Sequence, residues 1–199
     1  MKELSAKEGF HAAFTEDASS FSPEGLKEFD VVMFLLTTGD VLDEEQEKTF
    51  EAFIRAGGGF VGVHSATDTE YDWPWYGRLV GAYFKGHPRV QAADVKIEDR
   101  RHVTTKFLPE IWKCTDEWYD FRESPRGRVH VLASVVESTY EGGTMGKDHP
   151  IMWCHEFDGG RAWYTALGHT NEAYSEPMFL ETIANGIRWA SGSDKGDRS

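Results

Sequence analysis

His64 ends a short apolar run, in the sequence Gly62-Val63-His64-Ser65-Ala66. The pattern Gly-x-apex-x-small has the form of a nucleophile elbow, a turn too tight for larger residues beside its apex. An imidazole at that apex can serve as general base, proton donor or metal ligand. It offers no simple route to an acyl-enzyme. A second apolar run, Tyr164-Thr165-Ala166-Leu167, leads into Gly168-His169-Thr170. His87 and His149 each precede a proline, in Gly86-His87-Pro88 and Asp148-His149-Pro150, where the backbone is held extended. Taken singly, each histidine also reads as a structural or solvated residue. Several of them at the ends of apolar runs point to a shared site, so His64, His87, Glu117 and His169 are expected to face one cleft.

Aromatic residues mixed with carboxylates follow the same turns. Tyr71-Asp72-Trp73-Pro74-Trp75-Tyr76 begins three residues after Asp68, and Asp116-Glu117-Trp118-Tyr119-Asp120-Phe121 forms a second such stretch. Aromatic faces stack on the C–H faces of sugar rings while carboxylates hold hydroxyls. On that basis Asp68, Tyr71, Trp73, Trp75, Tyr76, His87, Tyr119, Asp148 and His149 are candidate substrate-binding residues. Many of the aromatics read equally well as core. Paired carboxylates also fit a retaining or inverting glycosidase. His64, His169 and Glu117 are the candidate catalytic residues, and a divalent metal among them is an open alternative.

These residues need elements to position them. Val31-Val32-Met33-Phe34-Leu35-Leu36 and Phe60-Val61-Gly62-Val63 read as strands covered on both faces. Further strands are expected over 92–97, 129–136, 151–157 and 161–166. Asp43 with Gln46 forms a helix start, Phe50, Phe53 and Ile54 follow at helical spacing, and Gly57-Gly58-Gly59 closes that helix. Pro74 opens a helix expected to carry Tyr76, Leu79, Val80, Tyr83 and Phe84 on one face. The last helix starts near Pro177. Alternating strands and helices predict one α/β domain with a parallel-centred sheet flanked by helices, whose chemistry gathers at the carboxyl ends of strands. The domain is expected over 1–192, with a polar, unstructured tail over 193–199.

Composition narrows the partners. A formal net charge of −13 argues against a nucleic-acid backbone. No apolar run approaches the ~20 residues a membrane helix needs. Cys114 and Cys154 have no CxxC or CxxH company and read as two free thiols. A soluble chain of the cytoplasm or periplasm with a small-molecule sugar partner is expected.

Jointly, several stretches resemble the ThuA-like (trehalose utilisation) family. They are Gly57 through Thr69 with its GGGFVGVHSATDT, Tyr71-Asp72-Trp73-Pro74-Trp75-Tyr76, Leu79-Val80-Gly81-Ala82-Tyr83-Phe84, Gly86-His87-Pro88, Asp116-Glu117-Trp118-Tyr119, Asp148-His149-Pro150, and Gly159-Gly160-Arg161 on to Leu167-Gly168-His169-Thr170. The resemblance implies a class I glutamine-amidotransferase-like, flavodoxin-like sheet. It also implies that His64 stands where amidotransferases carry cysteine, and that His169 lies in the region of their catalytic histidine. Amidotransfer is therefore not expected. The resemblance implies sugar catabolism instead, on trehalose-like or 3-keto-glycoside compounds, by a hydrolase, lyase or isomerase using His and carboxylate groups. A non-catalytic carbohydrate-binding module is the alternative.

Two departures from the family pattern stand out. His102 is followed by Val103 where the family usually has proline. The family usually opens with an apolar strand and a His-containing loop, whereas this chain starts Met1-Lys2-Glu3-Leu4. The expectation is a sheet without its first strand, the strand at 31–36 having an unpaired edge.

Overall fold

A computed structural model describes residues 1–193. From residue 194 onward, the expected polar tail lies outside the described residues. The helices are α1 (Lys2–Glu8), α2 (Pro23–Leu26), α3 (Glu44–Arg55), α4 (Pro74–Val80) and α5 (Pro177–Ala190). The strands are β1 (Val31–Leu35), β2 (Gly59–Val63), β3 (Phe84–Gly86), β4 (Gln91–Ile97), β5 (Ile111–Asp116), β6 (Asp120–Phe121), β7 (His130–Val135), β8 (Pro150–Phe157) and β9 (Gly160–Thr165).

Seven strands form one sheet in the order β1-β2-β9-β8-β7-β4-β5, and β3 pairs with β6 in a small second sheet. β1, β2 and β9 run parallel to one another. The rest of the sheet is antiparallel, so the expected parallel centre occupies only one side. The reason lies in the connections. The β8–β9 link is the tight Asp158-Gly159 turn, both residues at positive φ, and a two-residue turn can join only antiparallel strands. Among the described residues β1 pairs with β2 alone. Its side chains alternate between buried and half-buried, whereas all five residues of β2 are buried.

The Asp43–Gln46 capping box forms in full, with Asp43 accepting from the Gln46 backbone and Gln46 bonding back. The helix opened by Pro74, α4, is shorter than its apolar spacing predicts. It stops at Val80 because Gly81 takes φ 97°, a left-handed helix end, and Phe84 then starts β3. Residues 2–8 form a helix pinned to α5 by a Glu8–Arg188 ion pair. One apolar core runs through the domain, with Phe50, Ile54, Phe60 and Leu132 fully buried. No helix among the described residues is long and apolar enough to cross a membrane.

Candidate active site

The parallel pairing of β2 with β9 sets Val63 beside Thr165, so both chains leave the sheet at the same rim. His64 follows β2 at once and takes φ 53°. That left-handed conformation is uncommon and costly for a residue with a side chain. It is held by a short 3₁₀ turn, His64–Asp68, and by the Tyr164 hydroxyl, which donates to the His64 carbonyl at 2.7 Å. Gly62 must be small, because a Cβ there would meet the Tyr164 ring at 3.0 Å and the Ala66 methyl at 3.2 Å. Across the rim, Gly168 turns the β9 strand toward the site with φ 112°.

Four side chains meet above this rim. The buried His64 donates its Nδ1–H to the Ala166 carbonyl at 2.7 Å. Its Nε2 therefore carries the lone pair and faces the cleft. That Nε2 lies 3.4 Å from Glu117 Oε2 and 3.2 Å from His169 Nδ1. His169 Nδ1 is also 3.2 Å from Glu117 Oε2. The other carboxylate oxygen, Oε1, is 3.0 Å from His87 Nδ1, which also lies 2.8 Å from the Pro88 carbonyl. Two acceptors flank that nitrogen, so it is the protonated one. Burial pushes the His64 pKa down to about 4, and the nearby His169 and His87 act in the same direction, while the Ala166 bond and Asp68 oppose it. His64 is thus a neutral imidazole with its free nitrogen aimed at Glu117 and His169.

Aromatic and polar walls frame the cluster. Tyr119 packs against His64 with ring centroids 4.1 Å apart, against Phe84 at 4.2 Å, and stacks toward His87 at 5.9 Å. Burial raises its hydroxyl pKa. Asp68 accepts from the Tyr71 and Thr38 hydroxyls, each at 2.6 Å, and the Arg122 guanidinium lies 4.1 Å over the Tyr71 ring.

The remaining candidates are placed elsewhere. Trp73, Trp75 and Tyr76 are buried. Trp73 donates to Glu51 on α3, Trp75 to Asp158 at the far turn of the sheet, and Tyr76 to the Ala66 carbonyl. They pack with Phe50 and Phe34 because α4 lays its apolar face on the sheet, so they belong to the core and offer no platform to a sugar. His149 is fully buried. It donates Nε2–H to the Tyr119 carbonyl at 2.8 Å, and its Nδ1 faces Glu137 at 2.9 Å. It supports the aromatic wall from behind. Asp148 is engaged by Arg126 at 2.6 Å, and the same guanidinium binds Glu98.

Asp116 had no role assigned from sequence, yet it organises the site. Its buried carboxylate accepts from the backbone N–H groups of Glu117 at 2.8 Å, Gly168 at 2.8 Å and His169 at 3.0 Å. Burial raises its pKa against the pull of those three bonds. One side chain thus ties the residue after β5 to the loop after β9. No strand was expected over 111–116, so its place at the end of β5 gave no signal in the sequence.

The ThuA profile, described as trehalose utilisation, matches residues 1–190. The chain belongs to the ThuA family. A solved protein from Bacteroides uniformis, described as ThuA-like, superposes with a TM-score of 0.81 at 29% identity, covering 95% of this chain and 80% of that one. A second ThuA-like structure, from Parabacteroides merdae, gives a TM-score of 0.79 at 22% identity over 96% of this chain and 83% of that one. A β-galactosidase from Bacillus circulans sp. alkalophilus shares the fold alone, at TM-score 0.55 and 16% identity, across 86% of this chain and 23% of that one. No curated protein sequence matches the chain. ThuA membership ties the chain in general terms to trehalose utilisation.

Proposed function

We propose that this ThuA domain transforms a sugar, of the trehalose-like or 3-keto-glycoside class, with His64, Glu117 and His169 as its reacting centre. The observation that carries the reading is the convergence of His64 Nε2, Glu117 Oε2 and His169 Nδ1 within 3.2–3.4 Å of one another. Removing a proton from a sugar hydroxyl, or from the carbon beside a keto group, needs a base within direct hydrogen-bond reach. His64 Nε2 meets that need, since its other nitrogen is committed to Ala166. His169, half-exposed at the rim, is placed to exchange a proton with solvent or substrate. His87 holds Glu117 in position, and Tyr119 supplies an aromatic wall for a ring. The imidazole at the apex, where a thiol would be needed, supports sugar chemistry over amidotransfer.

The test is turnover of trehalose, related disaccharides and their 3-keto derivatives, followed by product analysis for the parent and for His64→Gln. The expected result is conversion of at least one sugar by the parent and a loss on the order of a hundredfold or more in the variant. A folded parent that binds these sugars and converts none would make the domain a carbohydrate-binding module instead.

A further inference from the structure

We propose that His64 Nε2, His169 Nδ1 and Glu117 Oε2 form a binding site for one divalent transition-metal ion of the zinc class. The proposal uses the same three atoms as the sugar reading and, wherever an ion is bound, replaces proton transfer by His64 with metal chemistry; its test requires no sugar. The three donor atoms make a nearly regular triangle with edges of 3.2, 3.2 and 3.4 Å. Ligands held 2.0–2.1 Å from a shared tetrahedral ion stand about 3.3 Å apart. The triangle therefore has the size a metal would impose. Two imidazoles and one carboxylate form the donor set of three-ligand catalytic sites, with further positions left for a substrate or water. All-oxygen ions such as calcium and magnesium suit it poorly.

The hydrogen bonds around the triangle point the same way. Neither His64 Nε2 nor Glu117 Oε2 brings a proton to the 3.4 Å gap between them, and only His169 Nδ1 can donate to the group. A cation at the centre would be bound by the lone pairs of His64 Nε2 and Glu117 Oε2, and by that of His169 Nδ1 once its proton has moved to Nε2. Metal-bound histidines ordinarily give their second N–H to a carbonyl, and ligating carboxylates are held by an outer partner. The Ala166 carbonyl does the first for His64, and His87 the second for Glu117. A second cluster of ligand types, Asp120, Glu137 and His149, lacks this character. Asp120 already accepts twice from Thr144, Glu137 from Met145, and His149 donates to Tyr119. With an ion bound, His64 and His169 would hold the metal, and Lewis-acid polarisation would take the place of direct proton transfer by them.

The experiment is calorimetric titration of Zn²⁺ into the chelator-stripped full chain, with Co²⁺ absorption as a second readout of coordination. We expect one equivalent of Zn²⁺, a rise in the unfolding midpoint with added ion, and visible Co²⁺ bands. His169→Ala and Glu117→Gln should each weaken binding by more than the roughly 10–100-fold typical of outer partners, with His87→Gln falling in that range. His130→Gln, at a surface Asp99 pair, should bind like the parent. Thermal unfolding in chelator checks that each variant folds, and Glu117→Gln, close in shape to the parent, keeps the test valid if His169→Ala does not. A folded parent without stoichiometric Zn²⁺ uptake, or Glu117→Gln binding as tightly as the parent, overturns the proposal. Because Zn²⁺ is titrated without sugar, that failure is separate from any failure of the sugar assay.

Discussion

At the scale of single residues, the site depends on side chains whose second atom is already committed. His64 is directed by Ala166, Glu117 by His87, and the backbone of His169 by Asp116. Asp116 is the sharpest case, because a carboxylate can accept three N–H bonds with two oxygens and an amide cannot. Asp116→Asn would set an NH₂ group against a buried N–H donor. We expect it to cost about 1–3 kcal/mol in urea unfolding and to loosen the loop that carries His169. An unchanged midpoint with unchanged slope would show that the three bonds add nothing net. His64 and His169 stood out in the sequence because each ends an apolar run, and Glu117 because it lies in a stretch mixing carboxylates with aromatics. Asp116 was not, since no pattern along the chain announces that a carboxylate will be buried beneath a loop 52 residues away.

At the scale of elements, the loop after β1 is fastened to the turn that bears Asp68. Gly39 and Thr69 form an isolated bridge, and Glu70, buried at φ 55°, accepts from the Val41 and Leu42 backbone at 2.9 Å each. Burial, assisted by Asp40, pushes the Glu70 carboxyl up to about 7 despite those two bonds. On top of burial, Glu70 once ionised in turn raises the pKa of the neighbouring Tyr76 and Tyr83 hydroxyls. The sign follows from proton counting. Above its ordinary value of 4.5 Glu70 is ionised in the unfolded chain but still protonated in the folded one, so stability declines as pH rises. The contribution is whole below 4.5, is lost through about 7, and is level beyond. Unfolding midpoints measured from pH 5 to 8 should fall in the parent and fall less in Glu70→Gln; equal slopes would show that Glu70 does not titrate here. Most strand and helix positions were legible from apolar runs and caps, as with the Asp43–Gln46 box, but β5 was not, because Ile111–Asp116 carries no apolar run. Pairing directions were not, because the antiparallel side is decided by turns such as Asp158-Gly159 that resemble any other Gly-containing loop. The excess length expected of α4 had the same origin, since apolar spacing carries on past a glycine that ends the helix.

At the scale of the whole molecule, the core and the cleft compete for the same residue types. Trp73, Trp75 and Tyr76 looked like sugar platforms because they sit beside acids in sequence, but burying them is worth more to the fold than exposing them. Trp75→Phe should lower stability by roughly 1–3 kcal/mol, through lost packing and the lost 2.8 Å bond to Asp158, and leave KM for any sugar substrate unchanged. A raised KM in a folded variant would return Trp75 to the binding site. What the sheet builds at its rim is one reacting unit, and groups that act as one unit are not additive when removed. The decisive measurement is therefore kcat/KM of the His64→Gln, Glu117→Gln double variant beside each single variant, on whichever sugar the parent converts. Each single substitution should cost on the order of a hundredfold or more, and the double should cost little beyond the worse single. Losses that multiply, or a folded variant retaining the parent's kcat/KM, would contradict a shared reacting centre at His64, Glu117 and His169.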